Sequence, residues 1–279
     1  MIDLHNHLLY GMDDGPETLE ESLEMCRIAW GDGIRTVVAT PHMLNGVYRN
    51  SRKAILSGVK ELNACLIKWG LRDSSSNPQS ARNPYLTSDL RPPTSELDSL
   101  PPSPLKILPG ADVHLSGEIL AYLKEEKLMT LGDGKKYILI EFPSQGIPYL
   151  AEKILFQFVA QGIVPIITHP ERNLEVGRRP VRYFEMIRTG CLGQATAMSL
   201  TGGFGPEVRQ LAEKLLLHRL VHVIASDAHS IEGRPPILTP AVKAVSKLVG
   251  EEEALRMVTE YPLAILDGRH PAVRPPIPF

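Results

Sequence analysis

The sequence predicts an α/β protein whose parallel strands form a TIM-like barrel. Seven short runs of apolar and β-branched residues recur along the 279-residue chain. Segments with the spacing of amphipathic helices lie between them, and such alternation is typical of a parallel sheet. Seven units of this kind fit a closed or nearly closed barrel better than an open sheet.

Several of the predicted strands are almost continuously apolar, as expected for parallel strands that are buried on both faces. In chain order the strands cover residues 2–5, 36–40, 106–108 with 111–115, 137–142, 164–169, 192–196 and 221–226. Polar residues gather where these runs end, so the strand ends are the places to look for chemistry.

The first predicted helix has one apolar face and a clear start. Thr18 and Glu21 form a capping box in front of it. The apolar face, with the i, i+4, i+7, i+11 spacing of a helix, consists of Leu19, Leu23, Cys26 and Trp30. Similar patterns predict helices over residues 55–66, 147–161, 206–218 and 239–249. In the last of these, Thr239 is the expected N-cap and Pro240 the first helical residue.

One segment interrupts this alternation. Residues 72–104 contain seven Pro and eight Ser among 33 positions. The apolar residues that remain are too few for their burial to offset the conformational entropy lost on ordering the segment. The segment is interpreted as a flexible insertion within a single domain, residues 1–268, because the strand–helix pattern resumes after it. Residues 269–279 are expected to form a loosely attached, Pro-rich C-terminal tail.

Composition excludes several classes of function. A net charge of -2, from 30 basic and 32 acidic residues, disfavours binding to nucleic acid, which needs a basic surface. No apolar run reaches 18 residues and no export signal is visible, so direct membrane insertion is not expected. Cys26, Cys65 and Cys191 are odd in number and far apart, which argues against disulfides and favours a cytoplasmic protein.

Histidines and carboxylates follow the ends of successive predicted strands, which meet at one edge of a parallel barrel. His5 and His7 are two residues apart on a strand, so both imidazoles point to the same side. The other candidates are Asp14 or its neighbour Asp13, His42, Asp112, Glu141, His169, Asp227 and His229.

Each of these residues alone has an ordinary explanation, because a polar side chain must stand where a buried strand reaches solvent. Together they are harder to explain, since clustered carboxylates repel one another unless cations lie between them. Mixed nitrogen and oxygen ligands without sulfur suit manganese, zinc or iron. The sequence therefore predicts a divalent metal site.

Two arginines accompany this predicted site. Arg172 follows His169 by three residues, and Arg234 follows His229 by five. Either one could be an ordinary solvated side chain. Beside a group of cations, however, a guanidinium is repelled unless an anion lies between them, and its fork fits phosphate oxygens. The pair indicates a phosphoester substrate.

The polar motifs have a family likeness. They are Asp-Leu-His-Asn-His with Asp-Asp-Gly-Pro, Val-Ala-Thr-Pro-His, Tyr-Ile-Leu-Ile-Glu-Phe-Pro, His-Pro-Glu-Arg-Asn, Ser-Leu-Thr-Gly-Gly-Phe-Gly and Ala-Ser-Asp-Ala-His. In this order they resemble the polymerase-and-histidinol-phosphatase (PHP) superfamily of metal-dependent phosphoesterases. The likeness is greater to its bacterial protein-tyrosine phosphatase branch, associated with capsule and exopolysaccharide synthesis. It spans residues 1–268 apart from the insertion.

The resemblance implies a distorted (β/α)7 barrel, three divalent metals, commonly manganese, and hydrolysis of phosphotyrosine on the C-terminal tail of a bacterial tyrosine kinase. It also implies roles for individual residues. One metal would be held by His5, His7, Asp227 and a bridging Asp112, a second by Asp112, Glu141 and His169, and a third by Asp14, His42 and His229, while Arg172 and Arg234 would grip the phosphate.

The sequence departs from the family at the bridging position, which is usually Glu and here is Asp112. Its side chain is shorter by one C–C bond, about 1.5 Å. His114, on the same face of the predicted strand, is either a substrate-side residue that leans into the site or a structural one.

Three other functions stay open at this stage. A PHP phosphatase acting on a small phosphomonoester such as histidinol phosphate has the same spacing of residues. A catalytically silent module that binds a kinase tail would need a damaged metal set, for which Asp112 is the candidate. A nuclease is disfavoured because no basic groove is evident. A thiol phosphatase is excluded, because the residues six positions after the cysteines are Asp32, Leu71 and Ala197 rather than arginine.

Overall fold

A computed structural model describes residues 1–70 and 105–279 of the chain. The predicted insertion, residues 72–104, lies outside the described residues. Parallel strands form two sheets. The first has the order β1 (Ile2–Asn6), β2 (Thr36–Ala39), β4 (Lys106–Pro109); the second has the order β3 (His42–Met43), β5 (Asp112–His114), β6 (Tyr137–Glu141), β7 (Val164–Thr168), β8 (Leu192–Thr196), β9 (Val223–Ala225). The prediction of an α/β fold with parallel strands is confirmed.

Backbone hydrogen bonds connect the two sheets on one side. The N–H of Asp227 donates to the carbonyl of His5, and that of His7 donates to the carbonyl of Ala228, both at 2.9 Å. An isolated parallel bridge between Asn6 and Ala228 completes this contact. It brings the carboxyl end of β1 against the segment that follows β9, and two groups of candidate ligands with it.

The third predicted strand is divided in two. Residues 106–109 pair with β2 in the first sheet, whereas residues 112–114 pair with β3 and β6 in the second. The change of sheet occurs at Gly110, where a Cβ atom would lie 2.6 Å from Val38 Cγ1. Glycine permits this close approach, and the break directs Asp112 toward the second sheet.

The helices follow the strands as predicted, with additional short ones. They are α1 (Leu19–Gly31), α2 (Arg52–Gly70), α3 (Ile119–Lys124), α4 (Ala151–Ala160), α5 (Leu174–Arg178), α6 (Pro180–Arg188), α7 (Ala197–Thr201), α8 (Pro206–Leu217), α9 (Thr239–Val249), α10 (Glu251–Arg256) and α11 (Glu260–Leu266), with 3₁₀ turns at Leu131–Asp133 and Pro170–Arg172. Within the described ranges, none of these helices is both long and apolar enough to cross a bilayer.

The helix starts show one success and one correction. The capping box of Thr18 and Glu21 is present at α1. At α9, however, Thr239 is already helical and Leu238 holds the N-cap position. The Asp32 carboxylate accepts the N–H groups of Leu238 and Thr239 at 2.6 and 3.1 Å. A carboxylate from the end of α1 thus replaces the expected local cap.

The strands are buried on both faces, as their apolar runs predict. Along β6, Tyr137 and Leu139 pack into one cluster with Leu4 and Ile166, whereas Ile138 packs into the larger cluster that includes the helices. This arrangement leaves the carboxyl ends of the strands as the place where polar side chains gather.

The C-terminal tail is attached more closely than expected. The N–H of Ile277 donates to the carbonyl of His218 at 2.9 Å. The ring of Phe279 stacks on the His218 ring with centroids 4.3 Å apart, and the Tyr137 hydroxyl donates to the carbonyl of Arg269 at 2.8 Å. These contacts hold residues 269–279 along the domain without regular secondary structure.

Candidate metal centre

The predicted ligands meet at the carboxyl ends of the strands. β1, β3, β5 and β6 carry His5, His42, Asp112 and Glu141; His7 and His169 follow β1 and β7, and Asp227 and His229 follow β9. Ligand atoms form three overlapping groups, within each of which all atoms lie inside 4.8 Å of one another: His5, His7 and Asp112; His42, Asp112 and Glu141; and His7, Asp14, His42 and His229. Asp227 adjoins the first of these groups and His169 the second. The structure thus brings together residues that are more than 200 positions apart in the chain.

The first group lies deepest. The Nε2 atoms of His5 and His7 are 3.0 Å apart. Asp112 Oδ2 and Asp227 Oδ1 lie 3.6 and 3.4 Å from His5 Nε2. Because all four side chains are buried, these atoms face one another in a space without bulk solvent.

The second group is arranged around Glu141 and Asp112. His42 Nδ1 lies 3.5 Å from Glu141 Oε2 and 3.7 Å from Asp112 Oδ2. His169 Nε2 approaches the same two carboxylates at 3.7 and 4.0 Å. His114 Nδ1 also lies 3.3 Å from Glu141 Oε2, on the more exposed side of the group. His114 therefore contacts a candidate ligand rather than the centre of the site.

The third group separates the two neighbouring aspartates. Asp14 Oδ1 lies 3.4 Å from His42 Nε2 and 3.5 Å from His229 Nε2. Asp13 instead accepts hydrogen bonds at Oδ2 from His7 Nδ1, at 2.7 Å, and from the backbone N–H of His42, at 2.9 Å. The geometry therefore favours Asp14 as the ligand and Asp13 as the residue that orients His7.

The donor set fits divalent cations. Asp112 Oδ2 is fully buried and has no hydrogen-bond partner among the described residues, and the same is true of His42 Nδ1. A buried carboxylate oxygen without a donor is costly, and a cation supplies the missing partner. Burial and the nearby Glu141 carboxylate raise the pKa of Asp112 well above its ordinary value, which shows how poorly its charge is tolerated without added positive charge.

The imidazoles are suited to be neutral ligands. Burial lowers the pKa of His5 and His7, and it lowers the pKa of His169 to about 4. His42 differs: despite its burial, the Asp14 carboxylate and the other acidic groups raise its pKa to about 9. A neutral ring keeps a lone pair on the nitrogen that faces the site, which metal binding requires.

Hydrogen bonds behind the site fix the orientation of these rings. His5 Nδ1 donates to Gln194 Oε1 at 2.9 Å, and His229 Nδ1 donates to the carbonyl of Asp227 at 2.9 Å. Both bonds turn the opposite nitrogen toward the carboxylates. Gln194 is missing from the sequence-based candidates, although an amide inside the buried strand β8 is a usable signal.

Both predicted arginines contact the same carboxylate. Arg172 Nη1 and Arg234 Nη2 lie 2.6 and 2.5 Å from Asp227 Oδ2. Although burial raises its pKa, His5 and Arg234 hold the pKa of Asp227 well below the usual range. The arginine side chains are 29% and 25% exposed, so they reach the solvent-facing side of the site. A guanidinium has five N–H donors, so further donors remain for an anion.

Two candidate ligands have unusual backbone conformations. His169 and Asp227 have φ values of +35° and +51°, in the left-handed region that residues other than glycine seldom adopt. Left-handed residues of this kind cluster at functional sites, where the surrounding structure holds them in place. The strained backbone at His169 and Asp227 therefore agrees with their placement among the candidate metal ligands.

The fold and site define an α/β protein with a candidate multi-cation centre of nitrogen and oxygen ligands. The chain belongs to the capsular polysaccharide synthesis family CpsB/CapC, whose family model matches residues 1–72 and 86–267. This match confirms the capsule-synthesis part of the predicted resemblance.

Similar proteins carry consistent names. The tyrosine-protein phosphatase YwqE of Bacillus subtilis is 34% identical over 278 residues, which cover 100% of this chain and 96% of that protein. The putative tyrosine-protein phosphatase CapC of Staphylococcus aureus is 33% identical, over 85% of this chain and 80% of that one. The tyrosine-protein phosphatase CpsB of Streptococcus pneumoniae is 26% identical, over 95% of this chain and 98% of that protein.

Solved structures agree with these names and with the fold. One from a study of YwqE from Bacillus subtilis and CpsB from Streptococcus pneumoniae, described as metal-dependent tyrosine phosphatases, matches with a TM-score of 0.84 and 34% identity. It covers 100% of this chain and 99% of that one. A β-aspartyl dipeptidase from Fervidobacterium islandicum AW-1 matches at a TM-score of 0.50 and 14% identity, over 95% of this chain and 74% of that one, and shows the fold alone.

Proposed function

We propose that this protein is a metal-dependent protein-tyrosine phosphatase, a phosphoric monoester hydrolase that uses no cysteine nucleophile. The observation that carries the proposal is the overlap of three ligand groups beside two arginines that share one carboxylate. Relatives that align over most of this chain are named tyrosine-protein phosphatases, which supports phosphotyrosine over a small metabolite as the substrate.

We propose three divalent cations, with manganese first and zinc or iron as alternatives. The first would be held by His5, His7, Asp112 and Asp227, the second by Asp112, Glu141 and His169, and the third by Asp14, His42 and His229. The distances support this partition in outline. His42 also approaches the second group through Nδ1, so it stands between two of the proposed cations.

When bound, such cations supply Lewis acidity and lower the pKa of a coordinated water to about 7. The chain supplies the positions of the reacting groups. Arg172 and Arg234 share Asp227 and offer their remaining N–H donors to the phosphate oxygens. Because they are held in place before the substrate arrives, little reorganisation is needed as charge develops on those oxygens.

The leaving group needs little help from the protein. A tyrosine phenolate has a pKa near 10, far below that of a serine alkoxide. Cys26 and Cys191 play no part in the proposed reaction, since burial raises the pKa of each to about 12 and keeps both thiols protonated.

The proposal extends to the setting of the reaction. The substrate would be the C-terminal tail of a bacterial tyrosine kinase that controls capsule or exopolysaccharide synthesis, and the family match supports this. The three free cysteines support a cytoplasmic location. Residues 1–268 would form one catalytic domain in which both sheets belong to a single distorted (β/α)7 barrel. The hydrogen bonds between β1 and the segment after β9 support that closure.

The test is reconstitution of the chelated protein with manganese, followed by hydrolysis of a phosphotyrosine peptide and of histidinol phosphate. We expect activity on the peptide to appear with metal and to vanish again with chelator. Elemental analysis should find at least two ions per chain. A preference of about a hundredfold for histidinol phosphate would overturn the substrate assignment, and a protein without bound metal would overturn the proposal altogether.

The matched variants are Asp14→Asn and Asp13→Asn. The first removes a proposed ligand of the third cation, whereas the second weakens the hydrogen bonds of Asp13 to His7 and to the His42 N–H but removes no proposed ligand. We expect a larger loss of metal content for Asp14→Asn. The reverse order would contradict the assignment of these two neighbours.

A further inference from the structure

Phe204 stands beside both proposed phosphate-binding arginines. The centroid of its ring lies 4.8 Å from the guanidinium carbon of Arg172 and 5.8 Å from that of Arg234. Arg172 follows β7, Phe204 lies in the connection from β8 to β9, and Arg234 follows β9. Three neighbouring strands of one sheet therefore place an aromatic ring against the two cationic side chains.

The backbone around Phe204 is a tight turn between α7 and α8. Gly202 and Gly205, on either side of Phe204, have φ values of +89° and +93°, which residues other than glycine seldom adopt. The N–H of Gly205 donates to the carbonyl of Gly202 at 3.0 Å. The turn directs Phe204 toward the arginines and leaves the residue partly exposed.

We infer that Phe204 contacts the phenyl ring of the substrate and makes the site prefer aryl over alkyl phosphate esters. This inference rests on the proposed function. In an aryl phosphate the ring begins one bond beyond the ester oxygen, so a phosphate gripped by Arg172 and Arg234 brings the ring to the immediate neighbourhood of Phe204. Two aromatic rings attract each other at centroid distances of about 4.5–7 Å. An alkyl ester offers only a flexible aliphatic carbon at this place.

A simpler role has to be distinguished from this one. A ring at this distance from two guanidinium groups attracts them through a cation–π interaction. Phe204 would then only orient the arginines, and it would serve every phosphate ester equally. The two roles differ in one measurable quantity, which is the ratio of affinities for an aryl and an alkyl ligand that carry the same anionic group.

The experiment measures binding of benzylphosphonate and of ethylphosphonate, in which a methylene group replaces the ester oxygen, to the manganese-loaded protein by calorimetry. It compares the wild type with Phe204→Leu, which removes the ring, and with Phe204→Tyr, which keeps it. We expect Phe204→Leu to lower the benzyl-to-ethyl affinity ratio about fivefold, within the range of measured aromatic pair energies. We expect Phe204→Tyr to keep the ratio and both variants to bind ethylphosphonate within about twofold of wild type.

An equal loss of affinity for both phosphonates in Phe204→Leu would overturn the inference and leave Phe204 as an arginine-orienting residue. An unchanged ratio would overturn it as well. In either case the wild type would still hydrolyse the phosphotyrosine peptide, and the proposed function would stand. If the wild type binds neither phosphonate and hydrolyses no peptide, the proposed function fails and this inference fails with it.

Discussion

Replacing Asp112 with Asn is expected to stabilise the metal-free protein and to remove most of its stabilisation by manganese. Asp112 is fully buried, and its Oδ2 atom has no hydrogen-bond partner within residues 1–70 and 105–279. Its Oδ1 atom accepts from the Thr168 hydroxyl at 3.2 Å, which an Asn carbonyl can also do. The substitution therefore removes a charge and keeps the shape.

The magnitude follows from the distances in the site. The ligand atoms of Asp112 and Glu141 lie within 4.8 Å of each other. At an effective dielectric constant of about 20, two negative charges at that distance repel by about 3.5 kcal/mol. The imidazoles offset part of this repulsion. We therefore expect Asp112→Asn to raise the free energy of unfolding of the metal-free protein by about 2 kcal/mol, which raises Tm by roughly 5 °C. Metal at a concentration of about 100 times its Kd raises the free energy of unfolding of the wild type by about 2.7 kcal/mol per site.

The assay is thermal unfolding in chelator and in manganese. Asp3→Asn is the matched control, because Asp3 is also fully buried but its oxygens accept hydrogen bonds from Ser226 and Asn6. An amide there places an NH₂ group against donors, so the control should be destabilised in both conditions. The assignment of Asp112 to a cation site is refuted if Asp112→Asn has a lower Tm than the wild type in chelator and manganese still raises its Tm by as much as it raises that of the wild type.

Other predictions concern the arginine pair, the thiols and a distant histidine. Arg234→Ala should lower kcat/KM on a phosphotyrosine peptide by about 100-fold, a larger effect than its effect on folding, since it removes a phosphate donor while Arg172 still pairs with Asp227; unchanged turnover would exclude the arginine clamp. The triple substitution of Cys26, Cys65 and Cys191 by Ala should keep kcat within about twofold, and loss of turnover with an intact circular dichroism spectrum would refute the metal mechanism. Burial lowers the pKa of His222 to about 4, so the unfolded chain binds more protons between pH 6.5 and 4, and stability should fall by about 3 kcal/mol as the pH decreases through this window. In urea unfolding with chelator, His222→Asn, which can still accept from the Gly193 N–H, should lose less stability on acidification; an equal loss would show that His222 is not responsible.

Sequence patterns determined which residues stand at the strand ends. Apolar runs buried on both faces fix the strands, and parallel strands all end at the same edge. His5, Glu141 and His169 could therefore be assigned to one place before any distance was known. The same reasoning identified the arginines, because cations beside a metal site imply an anionic ligand.

Tertiary structure decided what depends on loop conformation and on contacts between distant segments. Asp13 and Asp14 are adjacent, and only the path of the loop turns one toward His7 and the other toward His229. Gln194 behind His5 and the common attachment of both arginines to Asp227 join segments that share no periodic pattern. Strand periodicity sets the side on which a residue lies, whereas packing between distant segments sets which atom it meets there.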